Sequence, residues 1–126
     1  MQVSQLMKKD FFHAGIQDRV DEILEQMISG RINSVPVLDN RRRLTGILVK
    51  ADIYRFMTDP GHYGACPVEW VMTRDVVTAS PDEDLKTVAL KLLHNEVYSL
   101  PVIESGKVVG MISTDDLLRF FATMED

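Results

Sequence analysis

The sequence predicts an α+β fold in which one β-α-β-β-α unit occurs twice. Two short motifs recur at an offset of 65 residues and a third recurs at an offset of 64. Self-similarity at a fixed period indicates a duplicated structural unit. The matching segments are Met7-Lys-Lys-Asp10 with Met72-Thr-Arg-Asp75, Ser34-Val-Pro-Val37 with Ser99-Leu-Pro-Val102, and Gly46-Ile-Leu-Val-Lys-Ala-Asp52 with Gly110-Met-Ile-Ser-Thr-Asp-Asp116.

Each copy contains the same predicted elements in the same order. A short strand (residues 10–13 or 75–78) leads through a turn to a helix whose apolar residues recur at spacings of three and four. Ser80 is the predicted N-cap of the second-copy helix, with Pro81 and the acidic residues 82–84 in its first turn. Two strands and a final helix follow. The helix stripes are Val20, Ile23, Leu24, Met27 and Ile28, and Leu85, Val88, Ala89, Leu92 and Leu93; the strands are 35–38 with 44–49, and 100–103 with 108–113; the final helices are 50–58 and 114–124.

The repeat divides the chain into a first copy at residues 1–58, a linker at 59–67 that is rich in Pro and Gly, and a second copy at 68–126. A unit this small buries a low fraction of its surface when it folds alone. We therefore expect the two copies to pack with their sheets facing one another and with pseudo-twofold symmetry.

Composition excludes several classes of protein. The chain has 126 residues and a net charge of −5, and no apolar run approaches the roughly 20 residues of a membrane span. Residues 1–65 hold nine basic and eight acidic residues, and residues 66–126 hold five and eleven, so no basic face for nucleic acid is present. A single cysteine, Cys66, favours a reducing, cytoplasmic compartment. His13, His62, His94 and Cys66 lack metal-ligand spacing, and Trp70 is expected to anchor a core or an interface.

Ser113 and Asp116 lie where a predicted strand ends and a helix begins. A hydroxyl there sits among free N–H groups that attract phosphate, and a carboxylate in the first turn can accept two hydrogen bonds from a ribose diol. The alternative is purely structural, with Ser113 as an N-cap and Asp116 complementing the helix dipole. In the first copy Val49 replaces the serine, which leaves Asp52 for a sugar, while Lys50 either reaches a phosphate or is an ordinary exposed lysine.

In this order and twice over, the Met-x-x-Asp lead-in, the Ser-x-Pro-Val strand and the Gly-to-Asp ending resemble the tandem cystathionine-β-synthase (CBS) domain pair, or Bateman module. The resemblance covers residues 3–124. It implies a regulatory module that binds an adenine nucleotide (AMP, ADP or ATP) or an S-adenosylmethionine-class ligand in the cleft between the repeats. It also implies a homodimer that modulates an effector protein, with no obligatory cofactor.

The resemblance further implies two sets of ligand-contacting residues. The second-copy site is preferred because it has both the hydroxyl and the carboxylate. Its residues are Thr78, Ala79, Ser80, Tyr98, Ser99, Leu100, Pro101, Ser113 and Asp116. The weaker first-copy site comprises His13, Ala14, Ile16, Asn33, Ser34, Val35, Pro36, Lys50 and Asp52.

Several features admit two interpretations. Pro36 and Pro101 either free neighbouring backbone groups for a ligand or simply begin an edge strand. Relatives with Arg or His before this proline hold phosphates there, so its absence here favours a monophosphate or an uncharged adenosyl ligand. Arg55 and Arg119 follow Asp52 and Asp116 by three positions, which is typical of a weak helix ion pair, with phosphate binding as the alternative.

The final helices are apolar on more than one face, which predicts a homodimer interface. The residues concerned are Phe56, Met57, Leu117, Leu118, Phe120 and Phe121. No catalytic triad, Gly-rich phosphate loop or metal cluster is apparent, so we expect no enzyme activity. The remaining alternative to a ligand sensor is a dimerisation or docking module whose pockets are vestigial.

Overall fold

The computed structural model describes residues 1–124, and these form two compact units. One unit is Phe12–Val76. The other combines Met1–Phe11 with the chain from Val77 onward. The structural units therefore do not coincide with the sequence repeats. The first eleven residues of the first copy belong to the unit formed by Val77 onward, and the start of the second copy, residues 68–76, belongs to the Phe12–Val76 unit.

The Phe12–Val76 unit contains helix α1 (Val20–Gly30), strands β1 (Ser34–Leu38) and β2 (Leu44–Val49), and helix α2 (Lys50–Met57). The strands are antiparallel, with Pro36 opposite Ile47, and a short 3-10 helix covers Val68–Trp70. The core of this unit consists of Ala14, Val20, Ile23, Met27, Val35, Val37, Leu48, Ile53, Val68 and Met72.

The second unit repeats this order with helix α3 (Leu85–Asn95), strands β3 (Ser99–Glu104) and β4 (Lys107–Ser113), and helix α4 (Thr114–Thr123). A 3-10 helix at Val3–Gln5 comes from the lead-in. The core consists of Val3, Ala79, Leu85, Val88, Leu92, Leu100, Val102, Ile112 and Leu117. The α+β class and the duplicated helix and strand order agree with the sequence prediction.

The two predicted lead-in strands do not form. Residues 10–13 and 75–78 are irregular, and each segment contributes a single parallel bridge at the next alanine, Ala14 or Ala79. Each unit therefore has a two-stranded sheet, with a single bridging alanine on its β1 or β3 edge.

The prolines explain why the pairing stops. The N–H of Ala79 donates to the carbonyl of Pro101 at 3.0 Å. The next rung of a parallel ladder would take the N–H of residue 101 to the carbonyl of Val77, but proline has no N–H. The same argument applies to Pro36 and the carbonyl of Phe12. Pro36 and Pro101 thus lie inside paired strands, and neither begins one.

Two local predictions about the long helices were wrong. α3 begins five residues after Ser80, and its N-cap is Asp84, whose carboxylate accepts from the backbone N–H of Thr87 at 2.8 Å. The reason is that Ser80 instead bonds to Asp82 and Glu83 in the preceding turn. The apolar stripes are also narrower than predicted, because the side chains of Ile28 and Leu93 are 53% and 72% exposed.

Trp70 is 61% exposed, so it does not anchor the core, and the alternative that it anchors an interface stays a prediction. Tryptophan is large and its position at the end of a short 3-10 helix leaves most of the ring outside the packed elements. Within residues 1–124, none of the helices has the length and apolar character needed to cross a bilayer.

A close approach of the lead-in to a strand glycine holds each unit together. Lys8 and Met111 exchange backbone hydrogen bonds at 2.8 and 3.0 Å. A Cβ on Gly110 would lie 2.7 Å from the sulfur of Met7 and 3.0 Å from the Lys8 carbonyl. In the other unit a Cβ on Gly46 would lie 2.8 Å from both the Met72 sulfur and the Thr73 carbonyl. The repeated Met and the repeated Gly are therefore contact partners.

We predict that Gly110→Ala and Gly46→Ala each destabilise the protein by about 1–3 kcal/mol, because an added Cβ overlaps the Met7 side chain beside Gly110, and both the Met72 side chain and the Thr73 carbonyl beside Gly46. Urea unfolding measures the change. Gly15→Ala is the matched control, since its Cβ would meet nothing nearer than 3.7 Å. Equal stability of all three variants would show that the close approach does not matter.

Candidate functional site

The second-copy site is built on a capping box at the start of α4. The Ser113 Oγ accepts from the Asp116 N–H at 3.1 Å, and the Asp116 Oδ2 accepts from the Ser113 N–H at 2.9 Å. This is the structural role that the sequence allowed as an alternative. It fixes both side chains in one geometry at the N-terminus of a helix.

Capping leaves acceptor and donor capacity on both side chains. Asp116 is 6% exposed, and its Oδ1 lies 3.8 Å from the Lys8 ammonium. That separation is an ion pair and not a hydrogen bond. The Ser113 hydroxyl accepts one hydrogen bond and retains its proton for donation. A sugar hydroxyl and a phosphate oxygen are the groups that such a pair can bind.

The predicted ion pair between Asp116 and Arg119 does not form. The Asp116 carboxylate is turned back toward the start of its own helix, and Arg119 is exposed. The equivalent pair in the first copy does form, between Arg55 and Asp52. This pair confirms the helix-surface interpretation for Arg55.

The first-copy site differs in how its carboxylate is held. The N-cap of α2 is Val49, which has no side-chain group to cap the helix. The side chain of Asp52 is 30% exposed and is engaged by Arg55. The backbone N–H of Lys50 donates to the Asn33 carbonyl at 2.9 Å. Asp52 is therefore more exposed than Asp116 and already paired.

Strand pairing sets the order of groups across the second-copy site. Ala79 bonds to one edge of β3, β4 pairs with the other edge, and Lys8 bonds to the far edge of β4. Ser99 lies opposite Ser113, and the Thr114 N–H donates to the Tyr98 carbonyl at 2.9 Å. With neighbouring strands about 4.8 Å apart, the segment before Ala79 and the Lys8 segment lie about three strand spacings from each other.

The missing rung at Pro101 leaves the Val77 carbonyl without a hydrogen bond in the described residues. The Phe12 carbonyl beside Pro36 is in the same situation. These are the free backbone groups that the prolines predicted. A base with an amino group is one kind of ligand that can donate to such an oxygen.

The structure divides the predicted site residues into a buried group and a surface group. The side chains of Ala14, Val35, Pro36, Ala79, Leu100 and Pro101 are buried. Exposed or half-buried are His13, Ile16, Asn33, Ser34, Lys50, Asp52, Thr78, Ser80, Tyr98, Ser99 and Ser113. Tyr98 is 67% exposed, so its ring can offer a face to a base. The buried residues therefore form the layer on which the exposed and half-buried site residues lie.

A half-buried ion pair, which the sequence did not indicate, holds the turn at Ser80. Lys91 donates to Glu83 Oε1 at 2.7 Å and to the Thr78 carbonyl at 2.9 Å, and the Ser80 N–H donates to the same Glu83 oxygen at 3.0 Å. Burial alone would raise the pKa of Glu83, but the hydrogen bonds from Lys91 and Ser80 lower the pKa below the ordinary value. The turn that positions Thr78 and Ser80 is thus fixed by charge.

Sequence reasoning missed Lys8 and Lys91 as neighbours of the site. Lys91 lies on the predicted helix at a polar position that carries no pattern of its own. Lys8 is more than a hundred residues from Asp116 and belongs to the other sequence copy. The available signal for Lys8 was that a methionine precedes it and a glycine precedes Met111, and that both residues occur in each copy. The sequence alone does not show that this methionine and this glycine are in contact.

The comparisons with known proteins agree with this structure. The sequence model of the CBS domain matches residues 3–59 and 68–123. Uncharacterized protein MJ1225 of Methanocaldococcus jannaschii is 25% identical over 96% of this chain and 43% of that protein. A homoserine O-acetyltransferase of Methanococcus vannielii is 27% identical over 91% of this chain and 24% of that protein.

A solved structure adds a ligand-bound relative. The CBS domain pair of protein MJ0100, in complex with 5′-methylthioadenosine and S-adenosyl-L-methionine, has a TM-score of 0.86 and 28% identity. The alignment covers 97% of this chain and 96% of that one. The chain therefore belongs to the CBS domain family and carries a tandem pair of these domains. It spans less than half the length of the two relatives named above.

The Glu83 carboxylate predicts a pH dependence of stability. Because its folded pKa lies below the ordinary value of 4.5, the stabilisation is fully present at neutral pH and is lost as the pH falls through the folded pKa. Glu83→Gln should therefore lower the urea midpoint at pH ~7 and reduce the further loss between pH ~7 and pH ~3. An unchanged acid dependence in Glu83→Gln, with Glu104→Gln as the exposed control, would contradict this.

Proposed function

We propose that this chain is a regulatory module that binds a small adenosyl ligand at the second-copy site. The candidate ligands are AMP, ADP, ATP, S-adenosylmethionine and 5′-methylthioadenosine. CBS domain pairs are regulatory modules, and the pair of protein MJ0100 binds two of these compounds. The prediction that such a ligand bridges the repeats and changes contact with an effector protein rests on the family resemblance and stays a prediction.

The observation that carries the proposal is the state of Asp116. The carboxylate is 6% exposed, its Oδ2 accepts the Ser113 N–H, and its Oδ1 accepts no hydrogen bond within residues 1–124 but is not sealed from solvent, so it is open to a donor from a ligand. A ribose diol supplies two donors to a carboxylate. The capping box holds the acceptor in place before the ligand arrives, so little side-chain entropy is lost on binding.

The order of groups across the unit fits the shape of such a ligand. The free carbonyl of Val77 and the exposed ring of Tyr98 lie on the β3 side and suit a base. Ser113 and Asp116 follow at the end of β4 and suit a sugar. The groups that suit a base and those that suit a sugar therefore lie in this order across neighbouring strands. A ligand can contact them without rearrangement of the sheet.

We propose that the two sites are unequal. Asp116 is fixed and buried, whereas Asp52 is engaged by Arg55 and lies at a helix start without a side-chain cap. Binding at the first-copy site has to displace Arg55 from Asp52. This site is therefore the weaker of the two.

Isothermal titration with 5′-methylthioadenosine tests both proposals. Asp116→Asn keeps an oxygen for the Ser113 N–H but removes the charge, and a hydrogen bond to a charged group contributes about 1.5–3 kcal/mol, so affinity should fall roughly ten- to hundredfold. Asp52→Asn should change that affinity by less than about threefold. Equal losses would contradict the ranking, and no binding by the unmodified chain at millimolar ligand would favour a docking module.

We also infer that the chain forms a homodimer through α4. Leu117 and Phe120 pack into the core of their unit, while Leu118 and Phe121 are 65% and 52% exposed on another side of the helix. In α2 the corresponding positions are Tyr54, which is 49% exposed, and Met57, which packs against the core of its unit, so the exposed apolar surface is smaller. The predicted interface is therefore supported for α4 more than for α2.

Replacement of both exposed residues, Leu118→Lys with Phe121→Lys, should raise the dimer dissociation constant at least about tenfold, because charges at the centre of an interface are strongly disfavoured. Sedimentation equilibrium measures the constant. Lys107→Glu, on an exposed strand end, is the control. A monomeric unmodified chain, or a variant that dimerises as well as the control, would contradict the inference.

A further inference from the structure

We propose that Lys8 selects the class of ligand at the second-copy site, by favouring an adenosyl compound with an anionic group on the sugar over an uncharged one. This inference rests on the proposed function, because it assigns a specificity-determining role within the same site. Lys8 belongs to the lead-in of the first copy, outside the segments to which the ligand site was assigned.

The position of Lys8 follows from the backbone. Its N–H and carbonyl bond to Met111 at 2.8 and 3.0 Å, so Lys8 is held by an isolated bridge at the edge of β4. Gly110, next to Met111, allows this approach because it has no side chain. The Lys8 ammonium consequently lies 3.8 Å from Asp116 Oδ1. It is placed beyond the sugar-binding carboxylate on the side away from the Val77 carbonyl.

The ammonium group is available to a ligand. The side chain of Lys8 is 59% exposed, and its distance from Asp116 is too long for a direct hydrogen bond. Its three N–H donors have no hydrogen-bond acceptor within residues 1–124. Because the Lys8 ammonium is largely exposed and lies 3.8 Å from Asp116, the pair contributes about 0–1 kcal/mol to stability, so the fold depends little on it.

Lys8 affects the choice of ligand because its positive charge offsets the negative charge of Asp116. Asp116 by itself would repel an anionic ligand, since two like charges at short range cost free energy. Lys8 offsets that charge and adds donors for a phosphate oxygen. In the other unit, the equivalent residue is Thr73, which bonds to Ile47 through its backbone and carries no charge. The two sites therefore differ in the anions they can accept as well as in their carboxylates.

The decisive quantity is the ratio of the affinities for AMP and for 5′-methylthioadenosine, which share the adenine base and the ribose ring and differ at the 5′ position, an anionic phosphate in one and an uncharged methylthio group in the other. All variants carry Asp52→Asn, so that titration reports the second-copy site. Lys8→Gln should weaken AMP binding about three- to fivefold and change binding of 5′-methylthioadenosine less than about twofold. Lys8→Arg should restore most of the AMP affinity, because it restores the charge.

Lys9→Gln is the matched control, since Lys9 is the exposed neighbour on the same segment. The effect of Lys8→Gln should also shrink as salt rises, because the interaction is exposed and is screened. Equal weakening of both ligands by Lys8→Gln would mean that Lys8 only supports the shape of the site, and that result would overturn the proposal. An unchanged AMP affinity would overturn it as well.

The same titrations separate this inference from the proposed function. If the Asp52→Asn chain binds both compounds and Lys8→Gln leaves their affinity ratio unchanged, the site stands and the role of Lys8 is wrong. If that chain binds neither compound, both the proposed function and the role of Lys8 are wrong.

Discussion

The contact between each lead-in methionine and a strand glycine is the constraint on which the rest of this structure depends. Met7 and Lys8 lie so close to Gly110 that a single added carbon would overlap the Met7 side chain at 2.7 Å and press on the Lys8 carbonyl at 3.0 Å. The contact adds a bridging segment to the edge of β4 and completes the unit around a core that includes Val3. It also joins the two copies along the chain, because neither unit is complete without residues from the other copy.

The capping box shows how one arrangement can serve both the fold and the site. Ser113 and Asp116 satisfy the first N–H groups of α4, which any helix start requires. The same bonds hold a carboxylate at the surface of a helix N-terminus with one oxygen still uncommitted to a hydrogen bond within residues 1–124. Val49 and Asp52 lack this arrangement, and the duplicated chain therefore has two helix starts of different chemistry.

Much of the fold could be predicted from the sequence because the local patterns are strong. The helix and strand spacing, repeated twice, placed α1 to α4 and β1 to β4 within a few residues. The lead-in strands were predicted wrongly because the missing N–H of a proline acts on a residue more than 20 positions away. The N-cap of α3 was misplaced because Ser80, Asp82 and Asp84 are all good caps, and their competition is decided by Glu83 and Lys91.

The site was predictable only in the parts that lie within one segment. Ser113 and Asp116 were identified from their spacing, whereas Lys8 and the free Val77 carbonyl arise from pairing between distant segments.

The most direct test of the central claim is a backbone amide NMR titration with 5′-methylthioadenosine. The account predicts that the Ser113 and Asp116 amides shift at lower ligand concentration than those of Val49 and Asp52. Saturable shifts confined to other parts of the chain, or none at all, would contradict it.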